Sequence, residues 1–309
     1  MAKTEPALSR EDELNRMRKR VRRIEDVWFL CCGFSLIGTF MYLFLVYKKG
    51  IFPGNPVRYI LIGVCLLVVF FCIYMLPIVL KKNRRYAEYS EKYKKTYVKP
   101  FLDEAFGVGS YQEKDSISLK EIASFSLLKK IRSARANDGI RGVYEGVPFI
   151  RYYLALGFEK GQGTTDCLMI ALEMNTGLKT EVQVVHDDLR LGGKEYEMPD
   201  GYAQILTGNK EFDRTFALYA EDKEEGERFL SEMSVKRIKR RGKSFPAAIY
   251  LDRNKIYILI RREKDTMEAP VYRPIREEKC IREAGQEVEM IRTWINALKE
   301  CFAYVEKNT

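Results

Sequence analysis

The stretch VWFLCCGFSLIGTFMYLFLVY, from Val27 to Tyr47, contains no charged residue over 21 positions, and YILIGVCLLVVFFCIYMLPIVL, from Tyr59 to Leu80, contains none over 22. At about 1.5 Å of rise per helical residue, each stretch is roughly 31–33 Å long, enough for a hydrocarbon core of about 30 Å. Neither stretch shows the alternation of polar and apolar residues that is typical of a strand. A helix forms all of its backbone hydrogen bonds within itself, as the interior of a lipid bilayer requires. The sequence therefore predicts two transmembrane helices, because buried helices of a soluble core rarely stay apolar on every face for so long.

The two predicted helices are joined by a short segment, Lys48 to Arg58, which contains two glycines and two prolines. So short a connection predicts an antiparallel hairpin. Between Arg10 and Arg85, eleven Lys and Arg residues flank the hairpin and only three lie in its loop. By the positive-inside rule we expect both termini in the cytosol, in a multi-pass protein of the plasma membrane.

The excess positive charge of the chain is concentrated at this N-terminal end. The formal net charge is +10 over 309 residues, of which residues 1–85 carry +9 and residues 86–309 carry +1. We interpret the flanking cations as topology signals that also contact anionic lipid headgroups, at about 1 kcal/mol for each cation near the surface. No nucleic-acid partner is expected, because no interleaved aromatics accompany them. These membrane-surface residues are Arg16, Arg18, Lys19, Arg20, Arg22, Arg23, Lys81, Lys82, Arg84 and Arg85.

Helical patterns occur at several places after the hairpin. A tyrosine-rich stripe at spacings of three and four predicts an amphipathic helix from Asn83 to about Phe106, which Pro100 should kink or restart. Ser118 and Glu121 have the spacing of a capping box at a helix start. Further helices are predicted at 223–230 and 236–241, and apolar positions from Val288 to Val305 mark a terminal helix.

Strand patterns fill the region between these helices. Segments 140–144, 147–158, 166–174 and 179–186 predict four antiparallel strands, with a turn before them at Asn137–Gly139 and a tight turn at Glu145-Gly146. A four-residue loop, Asn175–Leu178, separates the last two. A further strand is predicted at 214–220, and segments 245–251 and 255–261 predict a hairpin.

Strands grouped between helices, rather than alternating with them, predict an α+β fold. The full expectation is an N-terminal two-helix transmembrane hairpin followed by a cytosolic domain with an antiparallel sheet flanked by helices. The chain is accordingly divided into a basic cytosolic segment, residues 1–26, the hairpin, residues 27–82, and the cytosolic α+β domain, residues 83–309.

No catalytic, cofactor or metal site is predicted. The one histidine, His186, is expected at the surface at a strand end, and Cys167 is expected in the core. The lone GxG at residues 161–163 does not join a strand to a helix, so it does not indicate dinucleotide binding. Carboxylate pairs such as Glu224-Glu225 and Glu277-Glu278 are expected on solvated surfaces.

Several short motifs resemble one family. Asp138-Gly-Ile-Arg-Gly142 is similar to a turn that enters the family's sheet, and FDRTFALYAED, residues 212–222, is similar to its strand-and-helix unit. Ile256-Tyr257-Ile258 follows in the position of the closing hairpin. From about Tyr86 to Leu298 the chain thus resembles the bacterial membrane-protein family labelled domain of unknown function 3137. The resemblance implies a membrane hairpin and a cytosolic α+β domain, and it transfers no catalytic residue.

Three functions are weighed on this basis. The first is a binding or scaffolding module at the inner face of the membrane, with the lipid bilayer, an unidentified protein and a second copy of this chain as partners. The second is a membrane-tethered, hydrolase-like enzyme whose carboxylates converge only on folding. The third, a conducting oligomer, is disfavoured because neither span contains an ionisable residue.

Overall fold

The fold is taken from a computed structural model that describes residues 9–49, 63, 70, 84–113, 117–123, 128, 131–158, 164–191, 194–195, 198, 200–229, 238, 247–262 and 265–307. The chain divides into two compact units. The first contains Met1–Val98 and Glu268–Ile281, and the second contains Lys99–Met267 and Arg282–Thr309. The predicted fold class, mixed α+β with a large antiparallel sheet and helices, is confirmed. The predicted divisions at residues 26 and 82 stay predictions.

Helices begin and end the described chain. Among the described residues, no helix combines the length and apolar character needed to cross a membrane. The first uncharged stretch, Val27–Tyr47, lies within the first helix, whereas Tyr59–Leu80 lies outside the described residues except for Gly63 and Phe70. The helices are α1 (Arg10–Lys49), α2 (Arg84–Tyr93), α3 (Lys99–Phe106), α4 (Leu119–Ala123), α5 (Lys210–Asp213), α6 (Lys223–Phe229) and α7 (Glu277–Lys307).

The tyrosine stripe predicted for residues 83–106 is buried as expected at Tyr89, Tyr93 and Tyr97. Between α2 and α3 the chain forms a π-helical turn, Lys94–Val98. Pro100 explains this wider turn, because it has no N–H to donate and its ring collides with the carbonyl four residues earlier in a regular α-helix. The α-helical pattern is therefore interrupted by a π turn just before the proline.

The strands of the second unit form one large sheet. In the described part of the chain it has nine strands in the order β1-β2-β3-β4-β11-β10-β5-β9-β8, and each neighbouring pair is antiparallel. Two further strands, β6 and β7, pair with each other. The strands are β1 (Tyr111–Gln112), β2 (Ser133–Tyr144), β3 (Val147–Gly157), β4 (Thr164–Glu173), β5 (Val182–His186), β6 (Arg190–Leu191), β7 (Lys194–Glu195), β8 (Ala203–Ile205), β9 (Phe216–Ala220), β10 (Ala247–Leu251) and β11 (Lys255–Arg261).

Strands β4 and β5 are consecutive in the sequence but do not pair with each other, because the β10–β11 hairpin is inserted between them. The loop Asn175–Leu178 does not join paired strands; it packs on the turn of that hairpin. Thr176 donates its N–H to the Arg253 carbonyl at 2.9 Å and its hydroxyl to the Asp252 carbonyl at 2.9 Å. The central strands are buried on both faces, so they lack the alternation that would identify their partners.

Asn137–Gly139 was predicted as a turn but lies inside β2. The register between β2 and β3 shifts from Asn137 to Ile140, and Asp138 has a φ of 54°. The segment is therefore a β-bulge, which requires the same left-handed backbone as a turn and so the same residue types. The hairpin turn at Glu145-Gly146 is confirmed, with φ of 46° and 80°.

Most of the remaining local predictions are confirmed. Helices α6 and α7, strand β9 and the β10–β11 hairpin lie where their patterns predicted them. In α4, the Glu121 N–H donates to Ser118 Oγ at 3.1 Å, which is the N-terminal half of the expected capping box. The helix predicted at 236–241 lies outside the described residues except for Ile238.

Gly226 tests the packing of α6 on the sheet. A Cβ at this position would lie 2.9 Å from Ala220 Cβ and would also collide with the Ile205 side chain. We expect Gly226→Ala to lower the free energy of unfolding by about 1–3 kcal/mol, measured by urea denaturation, because overpacking outweighs the gain in helix propensity. The control is Gly285→Ala in α7, where the nearest atom, in the Phe101 ring, is 3.6 Å away. Equal effects of the two substitutions would contradict the packing described.

Candidate functional site

Helix α1 carries most of the cations predicted at the membrane surface. Four of them, Arg16, Lys19, Arg20 and Arg23, recur at positions i, i+3, i+4 and i+7 and so share one face of the helix. Arg22 is also exposed, and its Nε lies 3.7 Å from an Asp26 carboxylate oxygen. We call the exposed set Arg16, Lys19, Arg20 and Arg23 the basic face of α1.

Arg18 was predicted at the membrane surface, but the structure turns it inward and leaves it 5% exposed. It donates from Nη1 to the Val271 carbonyl at 3.1 Å and from Nε to Asn15 Oδ1 at 3.3 Å. Asn15 in turn makes two hydrogen bonds, of 3.1 and 3.0 Å, with the main chain of Ile275. These contacts fix the rotation of α1 about its axis, so that the basic face points away from its packed side.

The cations predicted after the hairpin are only partly described. Lys81 and Lys82 lie outside the described residues. Arg84 and Arg85 are exposed, and Arg84 Nε lies 2.8 Å from Glu88 one turn later. Contact of these cations with lipid stays a prediction.

Further along α1, inside the first uncharged stretch, large apolar side chains project outward. Their exposed fractions range from 53% to 73%. Their spacing of three, one and three residues places them on a single helix face. A continuous exposed apolar face is typical of an interaction surface. We call Ile37, Phe40, Met41 and Phe44 the apolar stripe of α1.

A cavity of about 460 Å³ lies near the start of α1, in the first unit. Its lining mixes charges of both signs, from Arg10, Glu11 and Glu277, with the side chains of Thr96 and Tyr97. This lining does not favour one class of ligand.

The second unit contains a cluster of buried charged groups centred on Arg151 of β3. Its side chain is fully buried, and Nη2 lies 3.1 Å from an oxygen of Glu287 on α7, which is 1% exposed. Arg262 also pairs with Glu287, and the Thr266 hydroxyl donates to it at 2.7 Å. Burial alone would raise the pKa of Glu287, but the two guanidinium groups and the hydroxyl hold its pKa below the usual value.

Two carboxyl groups meet on the other side of Arg151. Asp138, in the bulge of β2, is 1% exposed and accepts a hydrogen bond from the Tyr111 hydroxyl. Asp138 is also close enough to Asp265 to raise the pKa of that carboxyl group. The pKa of Asp265 is raised to about 7, because the effect of burial and of the Asp138 carboxylate outweighs the opposing effect of Arg151.

A pair of carboxyl groups sharing a proton is chemically competent for acid–base catalysis in some hydrolases. Here Asp138 is almost fully buried, so no substrate reaches its carboxylate in this conformation. The cluster instead connects β1, β2, β3 and α7. In the described parts of the chain, no three His, Cys, Asp or Glu side chains are grouped to hold a metal ion.

Other candidate residues lie elsewhere in the second unit. His186, expected at the surface, is buried at the end of β5: its Nδ1 accepts the Asp188 N–H at 3.0 Å and its ring meets Phe216 edge-on. Glu225 was expected to be solvated but is buried. Its carboxylate accepts a hydrogen bond from the Lys179 N–H at 3.1 Å, which compensates for the loss of water. Cys167 is in the core as predicted, and burial raises its pKa to about 12.

The Arg151 cluster is not among the sites predicted from the sequence. The available signal was one arginine within the otherwise uncharged strand VPFIRYYLALG, residues 147–157. A cation in a strand buried on both faces needs a partner anion, which points to an acidic residue on the apolar face of a helix. Glu287, adjacent to Val288 on the predicted face of α7, fits that description.

Replacement of Glu287 tests how much its pairing with the buried Arg151 contributes to the free energy of unfolding. We expect Glu287→Gln to lower the free energy of unfolding by about 3–5 kcal/mol at pH 7, because it leaves a buried guanidinium without its anion. Adding Arg151→Met should recover most of that loss, measured as a double-mutant cycle by urea denaturation. Strictly additive losses would contradict a direct pairing of the two side chains.

Comparison with known proteins gives one family and one structural neighbour. No curated protein matches the chain. The crystal structure of the mycobacterial trehalose monomycolate transport factor A, TtfA, is similar with 12% sequence identity and a TM-score of 0.33, covering 64% of this chain and 93% of that one. The model of the family described as "Protein of unknown function (DUF3137)" matches residues 167–300, which contain the motifs at 212–222 and 256–258. The predicted resemblance is thereby confirmed for residues 167–300, which match the model of the DUF3137 family.

Proposed function

We propose that this chain is a membrane-anchored binding or scaffolding protein. In this proposal the hairpin formed by Val27–Tyr47 and Tyr59–Leu80 crosses the inner membrane of a bacterium, both termini lie in the cytosol, and residues 83–309 form a cytosolic binding module.

The apolar stripe of α1 is the observation that carries the proposal. It presents four large apolar side chains to the outside on a 40-residue helix, within a run of 21 residues without charge. Exposure of such a face to water is unfavourable by about 25 cal/mol for each Å². Acyl chains of a bilayer would remove that cost, and the length of the run matches the hydrocarbon core.

The basic face of α1 supports the proposed orientation. Arg23 precedes Val27 by four residues, or about 6 Å of helix, and Arg16 precedes it by about 16 Å. The nearer cations would therefore reach the headgroup region if α1 entered the bilayer at Val27. Because Arg18 and Asn15 bind the other side of the helix, the basic face would be presented to anionic lipid in a fixed rotation.

A membrane-tethered hydrolase is the second candidate, favoured by the convergence of Asp138 and Asp265. That function requires access of a substrate to the pair, and Asp138 is almost fully buried. We therefore prefer the binding function.

Charges placed in the apolar stripe test the anchor. We expect the wild-type protein to remain in the membrane pellet after carbonate extraction, and Ile37→Arg with Met41→Arg to shift a large fraction to the supernatant. Each arginine near the centre of a span costs about 2.5–3.5 kcal/mol of insertion free energy.

The matched control places the same two charges at Val143 and Leu206, which are exposed apolar residues of the second unit at 60% and 75%. This variant should stay in the pellet. A wild-type protein found in the supernatant, or equal behaviour of the two double variants, would overturn the proposed anchor.

Neutralising the basic face tests the lipid contact. We expect replacement of its four cations by glutamine to reduce the amount of phosphatidylglycerol that copurifies in mild detergent, at about 1 kcal/mol for each cation near the headgroups. Native mass spectrometry would count the bound lipids. Unchanged lipid binding would contradict the proposed contact. The control removes the same charge from the second unit, with glutamine at the exposed residues Arg135, Arg253, Lys255 and Arg261.

A further inference from the structure

We propose that Arg292 of α7 is the centre of a docking surface that binds a carboxylate side chain of a partner protein. The inference rests on the proposed binding function, because it gives the protein partner a place on the second unit and a chemistry. We call Phe106, Val108, Tyr144 and Arg292 the Arg292 surface.

The guanidinium group of Arg292 is partly buried, and no carboxylate of the described residues pairs with it. Its Nη2 donates to the Ala105 carbonyl at 3.4 Å, which is longer than the usual range of about 2.7–3.2 Å. Its Nε is buried and has no acceptor in the described part of the chain. By contrast, Arg151 and Arg262 both pair with Glu287. A charge that is partly removed from water is normally paired, so Arg292 lacks a counter-ion.

Glu145 does not supply that counter-ion, although it adjoins Tyr144 in the hairpin turn. Lys299 of α7 donates to the Glu145 carbonyl at 2.9 Å, and its Nζ lies 3.1 Å from the Glu145 carboxylate. Glu145 therefore balances the charge of Lys299, and the charge of Arg292 remains available to a ligand.

Two aromatic rings lie beside the guanidinium group. Arg292 Cζ is 5.4 Å from the ring centroid of Tyr144 and 5.9 Å from that of Phe106. The rings displace water from the sides that they cover, which strengthens the attraction of an anion to the guanidinium group. Nη1 is not buried and has no acceptor among the residues that the structure describes. The edge formed by Nη1 and Nη2 is therefore open to a ligand.

A carboxylate of a protein fits this surface in charge and in composition. One unpaired positive charge matches one carboxylate, whose two oxygens can accept parallel N–H bonds from the edge of a guanidinium group. Val108, two residues after Phe106, is 96% exposed. Arginine and aromatic side chains are enriched at the centres of protein interfaces. We therefore infer a partner whose acidic residue is flanked by apolar residues, rather than a free inorganic anion.

Two matched peptides test this inference with the full-length protein in mild detergent. The probes are acetyl-Leu-Glu-Leu-amide and acetyl-Leu-Gln-Leu-amide. The first should shift the NMR signal of the Arg292 Nε–H group to saturation. The second should bind at least about tenfold more weakly, because a neutral amide loses the charge-assisted hydrogen bonds. Equal binding of the two peptides, or no saturable shift with either, would overturn the inference. Saturable binding of inorganic phosphate without binding of the first peptide would overturn it as well.

Arg292→Lys provides a second measurement, because it keeps the positive charge but loses the planar guanidinium edge. Its affinity for the fluorescein-labelled Glu peptide, measured by fluorescence anisotropy, should fall about tenfold or more. The control, Arg253→Gln, removes an exposed cation of the second unit and should bind as the wild type. A lysine variant that binds as tightly as the wild type would refute the role of Arg292. Carbonate extraction reports on the membrane anchor alone, so failure of the anchor is recognised separately from failure of peptide binding.

Discussion

A buried guanidinium group is the constraint on which the second unit depends. Arg151 lies in a central strand with no exposed surface, and a charge taken out of water is tolerated only with paired charges and hydrogen bonds. Those partners come from distant parts of the sequence: the Asp138 carbonyl from the bulge, Glu287 from the terminal helix and Met267 from the following turn. The need to solvate one cation therefore brings four segments together in a specific arrangement, which apolar packing alone specifies less tightly.

The same requirement explains why the regular pairing of β2 with β3 is interrupted near Arg151. A regular β2 would pair residue by residue with β3, but the left-handed Asp138 interrupts the register and turns its carbonyl toward the guanidinium group. The two-residue strand β1 pairs with β2 at this point, through Tyr111 and Gln112. The Tyr111 hydroxyl donates a hydrogen bond to the Asp138 carboxylate. The bulge therefore has a structural role, because it directs polar groups of β2 toward Arg151.

Sequence patterns predicted the elements of this fold better than their arrangement. The β10–β11 hairpin and α7 were predictable because turn chemistry and helical periodicity act over a few residues. The insertion of that hairpin between β4 and β5 was not, because strands buried on both faces have no alternation to specify a neighbour. Asp138 was placed in a turn because Asn-Asp-Gly favours left-handed backbone in turns and bulges alike. Arg18 and Glu225 were assigned to the surface by residue type, and specific backbone partners bury them both.

The chain handles desolvation of charge in two opposite ways. In Val27–Tyr47 charge is absent, the described apolar side chains point outward, and the proposed solvent is lipid. In the second unit charge is admitted to the interior, and the buried Arg151 is matched by the opposite charge of Glu287. An arginine in the first setting has no partner within the helix itself, whereas Arg151 has Glu287. A substitution that introduces the same charge should thus be judged by the partners within reach rather than by burial alone.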